Sequence, residues 1–379
     1  MKRIFIFYEY FPPAFKSGGI TRSISNLSQF LSNYLEVYVF TGSRDLHCED
    51  ILPVKTDTWL KIQDRVFVYY AKEKLRRKHL KEELNRIQPQ VIYINGLFTP
   101  RFSFFPLLLK DQLSFPVKWV IAPRGMLQEG ALAIKPLKKR IFLNLMKVLN
   151  LFENISWHAT ENQEKEDIAR FGLEDQTIRI ASNIPAITDP PCLDLPKKRM
   201  EIRLVFLALI SPVKNLDTLL KILAEVPKGY LVCLDIFGPI KDSQYWEQCN
   251  LEIQKLPEFV QVNYKGEIKP EESHEVLGSY HAMSLLTKGE NFGHAIFESL
   301  YVGTPVLISD KTPWRKLPES QAGWDMDLSR PMDIKDKILE IASWDKSEYL
   351  SWRKGARGFA EKFLKETDFE KQYRELFEF

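Results

Sequence analysis

Short apolar runs rich in β-branched and aromatic residues recur along the chain between longer stretches of helical period. This alternation is expected of parallel strands joined by crossover helices. In the first half, candidate strands fall at 3–8, 36–41, 66–71, 91–95, 118–122, 155–159 and 178–181; in the second, at 203–209, 231–237, 260–264, 282–287 and 305–309. Each half therefore reads as its own α/β sheet. Between them, residues 185–200 hold four prolines and no sustained apolar period, which places the domain boundary there. The last stretch, 347–379, is helical in pattern, with Phe359, Phe363, Phe369, Tyr373 and Phe377 spaced to cover apolar surface. The predicted organisation is a doubly wound domain over 1–190, joined by a terminal helix at 360–379, and a second one over 200–358. Two such domains facing one another would put the carboxyl ends of both sheets around a central cleft, where ligands of these sheets bind.

Composition narrows the class. A length of 379 residues suits two cores, and 45% hydrophobic, 27% charged and 12% aromatic content is that of a globular protein. Cys48, Cys192, Cys233 and Cys249 lie far apart with no CxxC pair, so neither a zinc cluster nor a disulfide framework is expected. The apolar start MKRIFIFYEYFPP is interrupted by Glu9, and no run of about 18 apolar residues follows, so a cytoplasmic location is expected. Residues 1–150 carry 24 Lys and Arg against 12 Asp and Glu, a net of +12, and the remainder has a net of −9. The clusters Lys72, Lys74, Arg76, Arg77, Lys78 and Lys135, Lys138, Lys139, Arg140 suit anionic lipid headgroups or a phosphorylated acceptor, besides serving as solvated helix faces. Peripheral contact with the inner face of a membrane is compatible with them. No recognition-helix, zinc-finger or RNP-type motif accompanies the charge, which argues against nucleic acid.

The strongest chemical signal runs from Lys288 through Glu290, Asn291, Phe292, Gly293, His294 and Glu298 to Gly303, Pro305 and Asp310. It reads as strand, turn, helix, strand. Gly293 frees the backbone at the helix start, and the exposed N–H groups with their partial positive charge suit a diphosphate or sugar hydroxyls. Glu290 and Glu298 would lie about 7–8 Å apart at the helical rise, too far to share one proton or one metal. They suit opposite ends of an extended ligand. A second element, Tyr10 to Arg22, follows the first strand and contains Pro12-Pro13 and Gly18-Gly19, whose small residues let the backbone approach an anion. A third, Leu207 to Leu216, follows the first strand of the second half and contains Lys214. No cluster has metal-ligand spacing, no DxD ends a strand and no GxSxG elbow occurs, so neither a metal-bridged diphosphate nor a serine hydrolase is indicated.

The spacing of Glu290 and Glu298, with Asn-Phe-Gly between them and Gly-Thr-Pro-Val behind, resembles the retaining glycosyltransferases of family 4, and the likeness covers most of the chain. It implies a GT-B fold of two Rossmann-like domains and transfer of a sugar, with retention, from a nucleotide-sugar donor to a saccharide or lipid-linked acceptor. It points to bacterial surface polysaccharide assembly and implies no cofactor. Glu290 and Lys214 take catalytic roles: Glu290 orients the sugar and Lys214 meets the diphosphate. Gly18, Gly19, Asn291, Phe292, Gly293, His294 and Glu298 bind substrate, with Glu298 on the ribose. Arg124, in Ala122-Pro-Arg124-Gly-Met126, stands where related sequences can carry a His beside the acceptor. His158 reads as a structural hydrogen-bonding residue. One departure stands out: the family places an Arg five residues before the Lys, and here that position is Leu209. Either another basic residue, such as Arg124 or Arg22, compensates, or transfer is slow or absent. The competing readings are a non-catalytic GT-B protein that binds a nucleotide sugar or partners another transferase, and a nucleotide-sugar epimerase.

Overall fold

A computed structural model describes residues 1–72, 77–132, 136–171, 177–187 and 195–379. Lys74, Arg76, Lys135 and Cys192, together with part of the proline-rich segment, lie outside the described residues. The chain divides into two compact units, one of Met1–Ile184 with Asp368–Phe379 and one of Pro185–Thr367.

In the first unit the strands are β1 (Arg3–Phe7), β2 (Glu36–Gly42), β3 (Trp59–Gln63), β4 (Val66–Ala71), β5 (Val91–Asn95), β6 (Lys118–Ala122), β7 (Ile155–Ala159) and β8 (Ile178–Ile180). They form one sheet in the order β3-β4-β2-β1-β5-β6-β7-β8. Central strands such as VIYIN of β5 are buried along their whole length, because helices cover both faces of a parallel sheet and alternation is lost. Separate apolar clusters pack on the two faces, one around Phe5, Phe40, Trp119 and Trp157, the other around Ile6, Val39, Tyr93 and Tyr373. The sequence reading missed β3. It is a WLKIQ edge strand, paired antiparallel to β4 and largely exposed, so its pattern lacks the apolar run that marks a buried strand.

The second unit holds β9 (Glu201–Leu207), β10 (Leu231–Phe237), β11 (Val260–Gly266), β12 (Ala282–Leu285), β13 (Val306–Ser309) and β14 (Gly323–Met326), in the order β11-β10-β9-β12-β13-β14. This is the doubly wound order, reversing direction between β9 and β12. The short edge strand β14, GWDM, was also missed, since four residues containing an Asp carry no strand period.

The terminal segment is two helices, Lys346–Glu366 and Phe369–Phe377, rather than one. Asp368 caps the second by accepting from the Lys371 N–H at 2.9 Å, and the chain turns there. Phe359 and Phe363 consequently pack against the second unit's core, whereas Tyr373 and Phe377 are buried in the first unit's. The predicted helix at 360–379 is thus split, with only Asp368–Phe379 in the first unit.

Candidate active site

The site of the second unit is built where its sheet reverses. The loop after β9 and the loop after β12 leave neighbouring strands in opposite directions, opening a crevice at their carboxyl ends. Lys214 lies in the first loop and Glu290 in the second. Backbone and side-chain bonds stitch the two loops together: the Lys288 N–H donates to the Val213 carbonyl at 2.7 Å, Asn215 Nδ2 to the Leu286 carbonyl at 2.9 Å, and the Thr287 hydroxyl to the Val213 and Gly289 carbonyls at 3.1 and 2.8 Å. Lys214 Nζ meets Glu290 Oε2 at 2.5 Å, with side-chain exposures of 18% and 17%. The two charges expected to work on one ligand are therefore paired with each other, at the edge of solvent.

From Glu290 the chain turns into the helix His294–Tyr301. Gly293 is its N-cap, in the left-handed region at φ 76°, and a Cβ there would come within 2.8 Å of Ile296 Cδ1. Only glycine fits without strain. Phe292 is a core side chain, its ring 5.1 Å from that of Trp314, whose Nε1 donates to the Phe292 carbonyl at 2.5 Å. His294 is buried with its ring 4.8 Å from that of Phe292, Asn291 is half-buried, and Glu298 is fully buried within the helix. Gly303 follows the helix at φ 79° and returns the chain to β13.

A third loop joins this group. After β10, Phe237-Gly238-Pro239-Ile240-Lys241 runs beside the β9 loop: Ile210 N–H donates to the Pro239 carbonyl at 3.0 Å, and Lys241 N–H to the Ile210 carbonyl at 3.1 Å. Gly238 allows this approach at φ 135°, since a Cβ would lie 1.9 Å from the Ala208 carbonyl oxygen. Partial desolvation, and then the charge of Lys214, hold the Lys241 ammonium below the usual lysine range. Sequence reasoning missed Lys241. The signal was the Phe-Gly-Pro turn three residues earlier, whose effect on loop placement emerges only once β9 and β10 are paired.

In the first unit, the loop after β1 is held by Asp45, which lies just past β2 and was also missed. Its carboxylate accepts from the Phe15 and Lys16 N–H groups at 2.9 and 3.2 Å. Gly18 caps the helix Gly19–Leu31, which carries no acidic residue in its first turn and leaves that end open to an anion. Arg124 is buried, with φ 56°. Its guanidinium donates to Asn95 Oδ1 at 3.0 Å, to the Tyr93 hydroxyl at 2.9 Å and to Asn183 Oδ1. His158, also buried, meets the Tyr93 hydroxyl at 2.5 Å and the Ala181 carbonyl at 2.7 Å; burial, with Arg124 nearby, pushes its pKa down to about 3 and leaves it neutral. Arg124 thus joins the ends of β5 and β6 to the segment after β8, with one bond from each guanidinium nitrogen inside the first unit.

Among the described residues, no group of His, Cys, Asp and Glu is arranged to hold a metal ion, and no helix is long and apolar enough to cross a membrane. No curated protein matches the sequence. Residues 194–358 match the family described as glycosyl transferases group 1. Among solved structures, a sucrose-phosphate synthase from Thermosynechococcus elongatus superposes with a TM-score of 0.75 at 16% identity, over 100% of this chain and 99% of that one. WaaG, a glycosyltransferase involved in lipopolysaccharide biosynthesis, gives 0.67 at 13% identity over 99% of both chains. HepE of Anabaena, in complex with UDP and glucose, gives 0.69 at 14% identity over 96% of this chain and 95% of that one. At such identities the likeness speaks for the fold. The chain has the GT-B fold of these glycosyltransferase structures, and its residues 194–358 match the family of glycosyl transferases group 1.

Proposed function

We propose that this enzyme transfers a sugar, with retention of anomeric configuration, from a nucleotide-sugar donor to a saccharide or lipid-linked acceptor in the assembly of a bacterial surface polysaccharide such as lipopolysaccharide, capsule or exopolysaccharide. It would act in the cytoplasm, with access to the inner membrane face. The observation that carries the reading is the Lys214–Glu290 pair at the switch point of the second sheet, beside the start of the helix His294–Tyr301. The second unit holds the donor and the first binds the acceptor. Lys214 and the helix N–H groups take the diphosphate, Glu290 and the backbone at Phe292 and Gly293 take the sugar hydroxyls with Asn291 and His294 beside them, and Glu298 takes the ribose. Gly18 and Gly19, at the helix start of the first unit, bind substrate through the backbone.

Leu209 removes one cation from the usual pair, and Lys241 supplies another from the β10 loop. The charge that grows on the leaving diphosphate is met by two ammonium groups and a helix end, so the reaction needs no metal. The bond from the anomeric carbon to the diphosphate breaks, the acceptor oxygen bonds to the same face, and its proton passes to the departing phosphate oxygen. No protein nucleophile is required. HepE, which binds UDP and glucose, supports a uridine nucleotide as the first donor to try.

The test is a thermal-shift and hydrolysis panel of UDP-, GDP-, ADP- and TDP-sugars on wild type and Glu298→Ala. One donor should raise the melting temperature selectively, by about 2.7 kcal/mol of stabilisation at 100 times its Kd, and the substitution should abolish the shift. A panel with no shift from any donor would sink the reading.

A further inference from the structure

The helix Pro136–Val148 has apolar residues on two faces. Leu143 and Met146 are buried in the first unit's core. On the other side Leu137, Ile141, Leu145 and Val148 are 70%, 60%, 45% and 79% exposed. Their spacing of four, four and three residues sets them in one stripe along the helix, so these exposures are a single surface rather than scattered residues. Lys138 and Arg140 border the stripe, and neither is in an ion pair among the described residues. The sequence has no Asp or Glu between Gly130 and Phe152.

We propose that this outer face of Pro136–Val148 docks the enzyme on an anionic lipid bilayer, with the aliphatic stripe at the headgroup and acyl boundary and Lys138 and Arg140 on lipid phosphates. An exposed aliphatic stripe bordered by cations is what lets a helix lie in a bilayer interface. Lysine and arginine stems run along apolar surface while their charges reach phosphate, so the two kinds of side chain act together. A second copy of the chain fits less well. A two-fold contact through this face would oppose cations to cations with no carboxylate on the helix to offset them, and four aliphatic side chains bury far less than the roughly 1,000 Å² of a stable interface. The proposal deepens the membrane-face part of the proposed function and does not depend on the donor chemistry.

The test uses the full chain without donor or acceptor, in flotation with vesicles of mixed phosphatidylglycerol and phosphatidylcholine or of phosphatidylcholine alone. Wild type should partition on the order of tenfold more strongly to the anionic vesicles, and salt should weaken it. Ile141→Asp with Val148→Asp should lower partitioning by at least about tenfold, while Lys138→Ser with Arg140→Ser should remove the preference for anionic lipid. These side chains are outside the core, so the melting temperature, and any shift given by a nucleoside diphosphate, should stay at the wild-type value. Absent wild-type flotation, or flotation unchanged by the Asp substitutions, overturns the proposal. So does lipid-independent dimerisation that the same substitutions abolish, because the face would then belong to a second copy.

Discussion

If Lys214 serves the diphosphate, the bond to Glu290 must be given up when donor arrives, and substitutions at its two ends should act in opposite directions. Each side chain is less than one-fifth exposed, so the pair lies between the surface limit, worth up to about 1 kcal/mol, and a buried pair. Glu290→Gln keeps the shape and removes the competing charge. A nucleoside diphosphate without its sugar should then bind as tightly as to wild type or up to about fivefold tighter, the equivalent of about 1 kcal/mol. Lys214→Met removes a charge-assisted bond to phosphate worth about 1.5–3 kcal/mol, and the same ligand should bind about 10- to 150-fold more weakly. In the double variant, affinity should match Lys214→Met, since Glu290 acts on the diphosphate only through the lysine. Sugar transfer should fall in both single variants. Titration calorimetry with the nucleoside diphosphate of the donor found by melting would measure all four proteins. Equal weakening by both single substitutions, with a matching loss of melting temperature, would refute the argument: the pair would then be a strut between two loops, not a displaceable counter-ion.

Three further outcomes follow from the same loops and the core beneath them. Lys241→Ala should weaken diphosphate binding about fivefold, about 1 kcal/mol, and Leu209→Arg should restore it if both positions serve the same phosphates; calorimetry on the single and double variants decides. Gly238→Ala should cost more than about 2 kcal/mol in urea unfolding and impair donor binding, because the new Cβ meets the Ala208 carbonyl oxygen at 1.9 Å, whereas Gly266→Ala, at φ 83° with open space, should cost only about 1 kcal/mol of backbone strain. His281 is buried, accepts from the Arg203 N–H at 3.0 Å and donates to the Pro196 carbonyl at 3.1 Å, and burial holds its pKa near 4. The unfolded chain takes up that proton first, so the His281 contribution is complete above pH 6.5 and drains away towards pH 4, about 3 kcal/mol in all; unfolding against pH should be flatter over that window in His281→Gln.

What the sequence made legible follows from how each feature is encoded. Buried parallel strands write themselves as unbroken apolar runs, so β1, β5, β6 and β10 could be read directly, and with them the doubly wound class. Edge strands owe their existence to a neighbour's open hydrogen bonds, and neither WLKIQ nor GWDM announces itself. The break at Asp368 was similarly hidden: its cap is a common residue in a helical stretch, and only the two cores taking up Phe363 and Tyr373 separately show that the chain turns there.

In the site the same distinction recurs. Glu290, Gly293 and Glu298 lie within one strand-turn-helix segment, where local spacing carries the information. Lys241 and Asp45 act through loops brought together by strand pairing, far from their partners in the sequence. Arg124 shows the opposite case. A lone arginine at a strand end suggests a ligand, yet each guanidinium nitrogen already donates to the Asn95 or Asn183 side-chain oxygen or to the Tyr93 hydroxyl, and the buried Glu164 carboxylate accepts from the adjoining Gly125 N–H at 2.6 Å. Such a set of bonds to a buried cation fixes loop geometry. By that argument Arg124→Met should loosen the Ala122–Met126 turn and lower the first unit's stability, read as a fall in melting temperature.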